Sequence, residues 1–440
     1  MIHRLRKGFT EKLSGDLLGA GAILFLSMTI VNGGNYAFNL ILGRWLGPTA
    51  FSDLSLIVTI VLMSGFITAA FQLTSAKFAA VYSAEKDEER LAASRRWLQR
   101  GALVCGVVIL LVFAGGSLFW QRFFHTESAI PFVILGIALP VYLVQGVDRG
   151  ALQGQLSFKR LAGSYQAEMW TRLLASLVLV GLGLSVDGAV LAIGLSFVAT
   201  WFIARRVGSW AKKAGKLSGK EKKVVASFAG PVVLVFAGQI LISNSDIIIV
   251  KRYFSPEAAG QYAAVALIGR IVFFATWSMV TALFPIVAQK QQRGESHRHL
   301  LVISLGLVAI VSAAIIAFTI IAPELIINTL FGQAYVSVAP MLWLYALATA
   351  LYALANVVVN YRLSAGRGKG TWIALTAGLA QVTLLFIFHD SLEQVIVIQI
   401  VLMASFLFVM LIWDQWLAHK QKFVPRSLEV SSLSLSQDSS

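Results

Sequence analysis

Runs of roughly 20 apolar residues recur along the whole chain, and this pattern limits the fold more than any other feature. Each run is long enough to cross a hydrocarbon layer about 30 Å thick. A segment inside that layer must satisfy its own backbone hydrogen bonds, which a helix does. Hydrophobic residues make up 58% of the sequence and charged residues 13%, far from the balance of a water-soluble protein. We therefore predict an all-α polytopic membrane protein of about twelve transmembrane helices. The predicted spans are 17–43, 54–76, 101–120, 129–147, 162–186, 188–204, 224–249, 261–288, 301–322, 337–361, 371–388 and 394–413.

The basic residues alternate with these spans. The net charge is +15, and 30 of the 36 Lys and Arg residues lie on one set of alternating connections, which includes Arg149 between the fourth and fifth spans. Such a bias is typical of cytoplasmic loops, so both termini are predicted to be cytoplasmic and no nucleic acid is needed as a partner. The other six are four on the opposite connections (Arg44, Arg122, Lys251, Arg252) and two within spans (Arg172, Arg270).

An internal repeat divides the chain. GRWLGPTA at 43–50, after the first span, is echoed by KRYFSPEA at 251–258, after the seventh. LQG at 152–154 pairs similarly with LSAG at 363–366. Two echoes at nearly one period predict two six-helix lobes related by a parallel pseudo-two-fold repeat. Short strings can also match by chance, which is the alternative. The predicted parts are an N-terminal lobe at 1–204, a basic cytoplasmic linker at 205–223, a C-terminal lobe at 224–416 and a disordered cytoplasmic tail at 417–440.

Several segments also resemble a known family. They are GRWLGPTAF at 43–51, RGALQGQLSFKRLA at 149–162, SNSDIIIVKRYFSPEAAGQYAAVALIGR at 243–270 and LFGQAYVSVAPML at 330–342. Together they resemble the polysaccharide-transporter branch of the multidrug/oligosaccharidyl-lipid/polysaccharide exporter (MOP) superfamily. The resemblance implies a bacterial inner-membrane flippase, with O-antigen or exopolysaccharide biosynthesis as its setting. It implies as partners an undecaprenyl-pyrophosphate-linked glycan and membrane lipid, with polysaccharide polymerase machinery a further candidate.

Charged residues inside spans are costly and need a reason. Arg172 lies near the middle of the fifth span, and Glu168 precedes it by one helical turn on the same face. The pair could lock the lobe internally, or it could lend Arg172 to a pyrophosphate. Arg270 of the eighth span has no acidic residue at helical spacing, so we expect it to face a wet cavity.

The repeat-related Arg44 and Arg252 are expected at the outer ends of the first and seventh spans. Ordinary snorkelling or helix capping would explain them. Alternatively, they form with Arg172 and Arg270 a ladder of cations for a pyrophosphate, to which guanidinium groups bind in bidentate fashion. Asp246 and Asn244, one turn inward, could hold Lys251 and Arg252 in place.

Amides follow one stripe of the first span, at Asn32, Asn35 and Asn39. Such neutral groups bind sugars. They equally form hydrogen bonds between transmembrane helices.

Other functional classes make different demands. A drug or cation exporter of the same superfamily would be expected to carry a carboxylate in its first span, where this chain has Asn. Glu168 and Asp246 could still couple to H⁺ or Na⁺, so this class is the main alternative. A membrane sugar polymerase, the enzyme alternative, would need a carboxylate or metal constellation on a large outer loop, and the outer connections are short. The one cysteine, Cys105, excludes an intramolecular disulfide, and no cofactor or metal is expected.

Overall fold

The computed structural model describes residues 2–205, 217–273, 275–276, 287, 290, 298–364 and 371–422. Helices dominate these residues, and the later part of the eighth predicted span lies largely outside them. We number the helices α1 to α13 in chain order. They are α1 (Ile2–Ala84), α2 (Glu88–Leu110), α3 (Ser117–Phe124), α4 (Ile130–Gly154), α5 (Phe158–Leu179), α6 (Ser185–Arg205), α7 (Gly219–Tyr253), α8 (Pro256–Gly269), α9 (Arg298–Ile321), α10 (Pro323–Leu330), α11 (Leu342–Ser364), α12 (Thr371–Ile387) and α13 (Leu392–Lys422).

The apolar helices coincide with the predicted spans. Within the described residues, seven helical stretches are long and apolar enough to cross a membrane. Two of these stretches, Ile23–Ala84 and Phe158–Arg205, each cover a pair of predicted spans, except for 17–22 at the start of the first span. The helix α1 is continuous except at Gly47, whose φ of 72° and ψ of 173° break it into a first half (2–46) and a second half (48–84). Glycine suits this break because a positive φ costs it little.

The two sequence echoes at the first repeat fold alike. Pro48 follows the Gly47 break, and Pro256 stands at the first turn of α8, where the missing N–H is tolerated. The side chain of Ser255 accepts a hydrogen bond from the backbone N–H of Ala258 and so caps α8. Each echo therefore ends one span and starts the next.

Helix packing follows the same plan in both halves of the chain. In the first half, α4 packs against α2 and α6, and α5 packs against α1. In the second half, α11 packs against α9 and α13, and α12 packs against α7. The helices α1 and α5 approach each other closely, as do α7 and α12. A Cβ on Gly34 would lie 2.2 Å from the Met169 sulfur, and one on Gly238 would lie 2.7 Å from the Leu375 backbone nitrogen. This repeated packing is what a parallel two-fold relation of two lobes requires.

The lobes meet where α1 packs against α7 and α8. We call the end of the bundle that carries Lys77, Arg95 and Arg205 the basic face, and the end that carries Gly47 and Ser255 the opposite face. The linker predicted at 205–223 lies partly outside the described residues, because 206–216 are not described; α6 ends at Arg205 and α7 begins at Gly219. The last helix continues to Lys422, so the expected disordered tail does not begin at 417, and 423–440 lie outside the described residues.

Stability should depend on the contact between α4 and the second half of α1. A Cβ on Gly150 would lie 2.2 Å from the backbone oxygen of Gln72, which a helix cannot move cheaply. We expect Gly150→Ala to lower the free energy of unfolding by about 1–3 kcal/mol, the usual cost of overpacking. Thermal unfolding of the detergent-solubilised protein measures this.

Gly163→Ala is the matched control, since nothing lies within 4 Å of its Cβ position on α5. It should leave the melting temperature unchanged or raise it, because alanine restricts the unfolded chain more than glycine does. Equal melting temperatures for the two variants would contradict the close approach.

Candidate functional site

A cavity of about 660 Å³ lies between the two lobes. Its wall is formed by both halves of α1, by α5, by α7, and by α8 with the residues that follow it. The polar side chains of its wall include Asn32, Asn35, Asn39, Arg172 and Arg270. The structure thus brings together five of the candidate residues that lie far apart in sequence.

The amide stripe of α1 is tied to the fifth span. Arg172 Nη1 donates a hydrogen bond of 3.2 Å to Asn35 Oδ1. Asn39 Nδ2 donates to the backbone oxygen of Asn35 on its own helix, and Asn32 is exposed at the cavity. Asn35 therefore positions Arg172, while much of the donor and acceptor capacity of Asn32 and Asn39 faces the cavity.

A charge triad holds Arg172 from behind. Glu168 Oε1 lies 2.6 Å from Arg172 Nη2, as their spacing predicts, and its other oxygen lies 2.8 Å from Arg149 Nη1. Arg149 is buried, donates to the Oγ and backbone oxygen of Ser164, and stacks on the Tyr165 ring at 4.0 Å. The triad carries one net positive charge. Arg172 Nε is buried and has no hydrogen-bond partner among the described residues.

Arg149 was missed as a candidate because the hydropathy pattern assigns it to a connection. In the structure α4 continues to Gly154 and carries Arg149 into the lobe. The one hint in the sequence was Glu168, a carboxylate within a span, which in the structure pairs with both Arg172 and Arg149.

Arg270 is held by the other lobe's own network. Its Nη2 donates to the backbone oxygen of Ser243 at 2.6 Å and lies 3.5 Å from Asp246 Oδ1. Asp246 is fully buried and accepts hydrogen bonds from the hydroxyls of Tyr262 and Tyr345. Arg270 has no acidic partner at helical spacing in the sequence, but it does have one in the structure, because the carboxylate of Asp246 comes from a different helix, α7.

The other candidate arginines lie outside the cavity. Arg44 is exposed and donates to the backbone oxygen of Thr329 at the end of α10. The Arg252 guanidinium lies over the Phe123 ring of α3 at 4.6 Å. The ladder of four cations is therefore not formed in this conformation: two of its members line the cavity and two connect the lobes at the opposite face.

Asp246 and Asn244 do not hold Lys251 and Arg252, contrary to expectation. Both lie too deep along α7: Asp246 bonds to Arg270 and the tyrosines, and Asn244 donates to the Ile240 carbonyl of its own helix. Asn244 lines a second cavity of about 180 Å³, which shares Arg270 and Leu62 with the larger one.

Lys251 instead bridges the lobes. It is buried, and its Nζ lies 2.5 Å from Asp53 Oδ1 and 2.7 Å from Ser52 Oγ on the second half of α1. The second oxygen of Asp53 accepts the backbone N–H of Glu127. Tyr335 adds a hydrogen bond to the Gly43 carbonyl. These contacts close the cavity at the opposite face, and sequence reasoning did not single out Asp53.

Three solved structures share this fold. An inward-facing multidrug resistance MATE family transporter of the MOP superfamily superposes with a TM-score of 0.72 at 14% identity, over 86% of this chain and 92% of that chain. An outward-facing multidrug resistance MATE family transporter of the MOP superfamily superposes with a TM-score of 0.62 at 16% identity, over 92% of this chain and 96% of that chain. A MOP superfamily transporter from Pyrococcus furiosus is reported to have a binding pocket of reverse polarity. It superposes with a TM-score of 0.66 at 17% identity, over 92% of this chain and 96% of that chain. At these identities the likeness concerns the fold. The fold class is thereby confirmed: an all-α membrane protein of about twelve helices in two lobes.

The family follows from the sequence. Residues 18–291 match the family model described as polysaccharide biosynthesis protein, which is more than half of the chain. The chain belongs to this family, and its apolar helices make it a multi-pass membrane protein. No curated protein matches the sequence. Among the described residues, no three His, Cys, Asp or Glu side chains come together as a metal site would require.

The contact between Lys251 and Asp53 should keep the opposite face closed. Replacing Asp53 by Asn leaves a buried ammonium without its charge partner, which costs about 3–5 kcal/mol in comparable pairs. We expect a cysteine at Ser55, which lines the cavity, to react faster with a membrane-impermeant thiol reagent added at that face. The background variant is Cys105→Ser, which removes the natural thiol.

Glu257→Gln is the control, because it removes one exposed carboxylate near the same face. The double variant Asp53→Leu/Lys251→Met removes both charges, so it should also speed labelling without a buried unpaired charge. If Asp53→Asn and Asp53→Leu/Lys251→Met were both labelled at the control rate, the contact between Lys251 and Asp53 would have no role in closing this face.

Proposed function

We propose that this protein is a flippase that moves an undecaprenyl-pyrophosphate-linked oligosaccharide from the cytoplasmic to the outer leaflet of the bacterial inner membrane. The head group enters the cavity between the lobes, while the polyprenyl tail stays in lipid. The exported glycan serves cell-surface polysaccharide biosynthesis.

One observation carries the proposal: guanidinium groups from both lobes line one cavity beside a stripe of amides. Arg172 and Arg270 offer the bidentate donors that suit a pyrophosphate. Asn32, Asn35 and Asn39 offer the neutral donors and acceptors that suit sugar hydroxyls. A cavity of about 660 Å³ holds a head group of limited size and not a long polymer.

The charge of the cavity wall favours an anionic cargo. No Asp or Glu belongs to the described wall of the larger cavity, because Glu168 and Asp246 stand behind their arginines. A wall for organic cations would instead present carboxylates to the cargo. The reverse-polarity pocket reported for the Pyrococcus furiosus relative is consistent with a MOP-type fold serving different functions.

We further propose alternating access of the two lobes, with the boundary between Arg205 and Gly219. The bias of basic residues supports a cytoplasmic basic face and two cytoplasmic termini. The contacts of Lys251, Asp53 and Tyr335 then make the described conformation the one closed to the outside. Polysaccharide polymerase machinery is the natural acceptor of the released head group.

Ion-coupled drug export is the second candidate. Its support is Asp246, a buried carboxylate with two tyrosine hydroxyls and Arg270 as partners, which could exchange a proton or Na⁺ during transport. In the flippase the same residue would supply ion coupling, so its presence does not separate the two functions.

Replacing either cavity arginine should impair transport. A hydrogen bond to a charged group contributes about 1.5–3 kcal/mol, so Arg172→Gln and Arg270→Gln should each slow flipping about tenfold or more. The assay follows a fluorescent short lipid-linked sugar between leaflets of proteoliposomes that contain the purified variant. Arg172→Lys should recover only part of the rate, because lysine keeps the charge and loses the bidentate geometry.

Arg298→Gln is the control, since it removes one exposed arginine at the start of α9. It should flip at the wild-type rate. Wild-type rates for both cavity variants, at equal amounts of folded protein, would contradict pyrophosphate binding by these arginines.

Depletion of the protein from its host tests the cargo class. We expect undecaprenyl-pyrophosphate-linked oligosaccharide to accumulate on the cytoplasmic leaflet, measured by mass spectrometry with a leaflet-specific glycan probe. Unchanged lipid-linked pools together with increased sensitivity to organic cations would instead favour the drug exporter.

A further inference from the structure

A separate cavity of about 450 Å³ opens at the basic face of the N-terminal lobe, between α2, α4 and α6. It shares no lining residue with the cavity between the lobes. Three arginines belong to its wall: Arg96 and Arg100, one turn apart on α2, and Arg205 at the end of α6. None of the three is used by the proposed transport site.

The wall carries a positive excess. Its one carboxylate, Asp148, is buried and already paired, with Arg95 at 2.8 Å and with the Gln99 amide at 2.7 Å. Arg95 already pairs with Asp148, so the three arginines of the wall stand against one carboxylate that has a partner outside the wall. Guanidinium groups converging in this way favour a phosphate or another oxyanion.

The rest of the wall is apolar. Pro140, Val141 and Val144 of α4 and Leu103 of α2 lie beside the arginines. Leu103 is 50% exposed and stands on the outer surface of a membrane-spanning helix, so its exposed side meets acyl chains. The Arg205 guanidinium lies over the Trp201 ring at 4.7 Å, which fixes the cation next to an aromatic surface typical of membrane interfaces.

A wall that combines arginines with apolar side chains matches a phospholipid, which has an anionic head group and acyl chains. A soluble anion would leave the apolar wall unmatched. An acidic peptide or a nucleic acid would not enter between membrane spans. We propose that this cavity binds the phosphate head group of an anionic phospholipid from the leaflet at the basic face, with the start of its acyl chains along α2 and α4.

The position of the cavity gives the lipid a structural consequence. Asp148 faces the cavity from α4, and its neighbour Arg149 faces the other way, to Glu168 of the charge triad. A lipid that braces α2, α4 and α6 together would therefore hold in place the helix that positions Arg172.

Native mass spectrometry of the full-length protein, with phosphatidylglycerol and phosphatidylcholine offered in equal amounts, tests the site. We expect wild type to retain phosphatidylglycerol preferentially. Arg100→Gln/Arg205→Gln should weaken that retention on the order of thirtyfold, since each basic residue contributes about fivefold to binding anionic lipid. The control Lys222→Gln/Lys223→Gln removes two exposed charges at the same face, at the start of α7, and should retain wild-type affinity.

Leu103→Trp provides a second variant that keeps every charge and narrows the apolar part of the cavity. It should also lose retained phosphatidylglycerol, and it decides the outcome if the double arginine variant does not fold. Equal losses in the lysine control would show a diffuse surface attraction and overturn the site. Equal retention of phosphatidylcholine by wild type, or equal affinity for soluble glycerol phosphate, would overturn a phospholipid as the ligand.

Discussion

A charge inside a membrane must be neutralised by the protein itself, and the two lobes are organised around this constraint. Glu168 neutralises one of its two arginines within the N-terminal lobe, and Asp246 neutralises Arg270 within the C-terminal lobe. Each lobe therefore carries its own charge network, and it does not need the other lobe to keep its arginine stable. This independence would let the two lobes move against each other, as alternating access requires, because neither cavity arginine loses its carboxylate when the cavity changes shape.

The contacts between the lobes are of a different kind. Repeat-related residues reach across in matching ways: Arg44, after the first span, bonds to the end of α10, and Arg252, after the seventh, covers Phe123 of α3. Both partner helices are short and lie between two spans of the opposite lobe. Lys251 and Asp53 form the buried ion pair of this face, and its separation would cost more than the loss of the exposed contacts. The closed face is thus held by one strong contact and several weaker ones.

Hydropathy predicted the spans because burial in lipid acts on each segment separately, and helical spacing predicted the pair Glu168 and Arg172 because both lie on one helix. The pairs of Asp246 with Arg270 and of Asp53 with Lys251 join different helices, 24 and 198 residues apart, and no local pattern encodes them. Arg149 was misplaced because it lies beyond the end of an apolar run, although its helix continues. Arg44 and Arg252 were placed correctly at span ends, yet span ends do not tell which lobe a side chain will contact.

The position of the carboxylates also bears on release of the cargo. A transporter must bind its cargo firmly enough to admit it and weakly enough to let it go. Arg172 is shared between Glu168 and the cavity, so under the proposed function an entering pyrophosphate would compete with a carboxylate 2.6 Å away and gain only the difference. Arg270 is attached to Asp246 and to the Ser243 carbonyl in the same manner. A cavity with two uncompensated arginines would hold a pyrophosphate too tightly to turn over, whereas two partly compensated arginines can attract it and return to their own partners when it leaves.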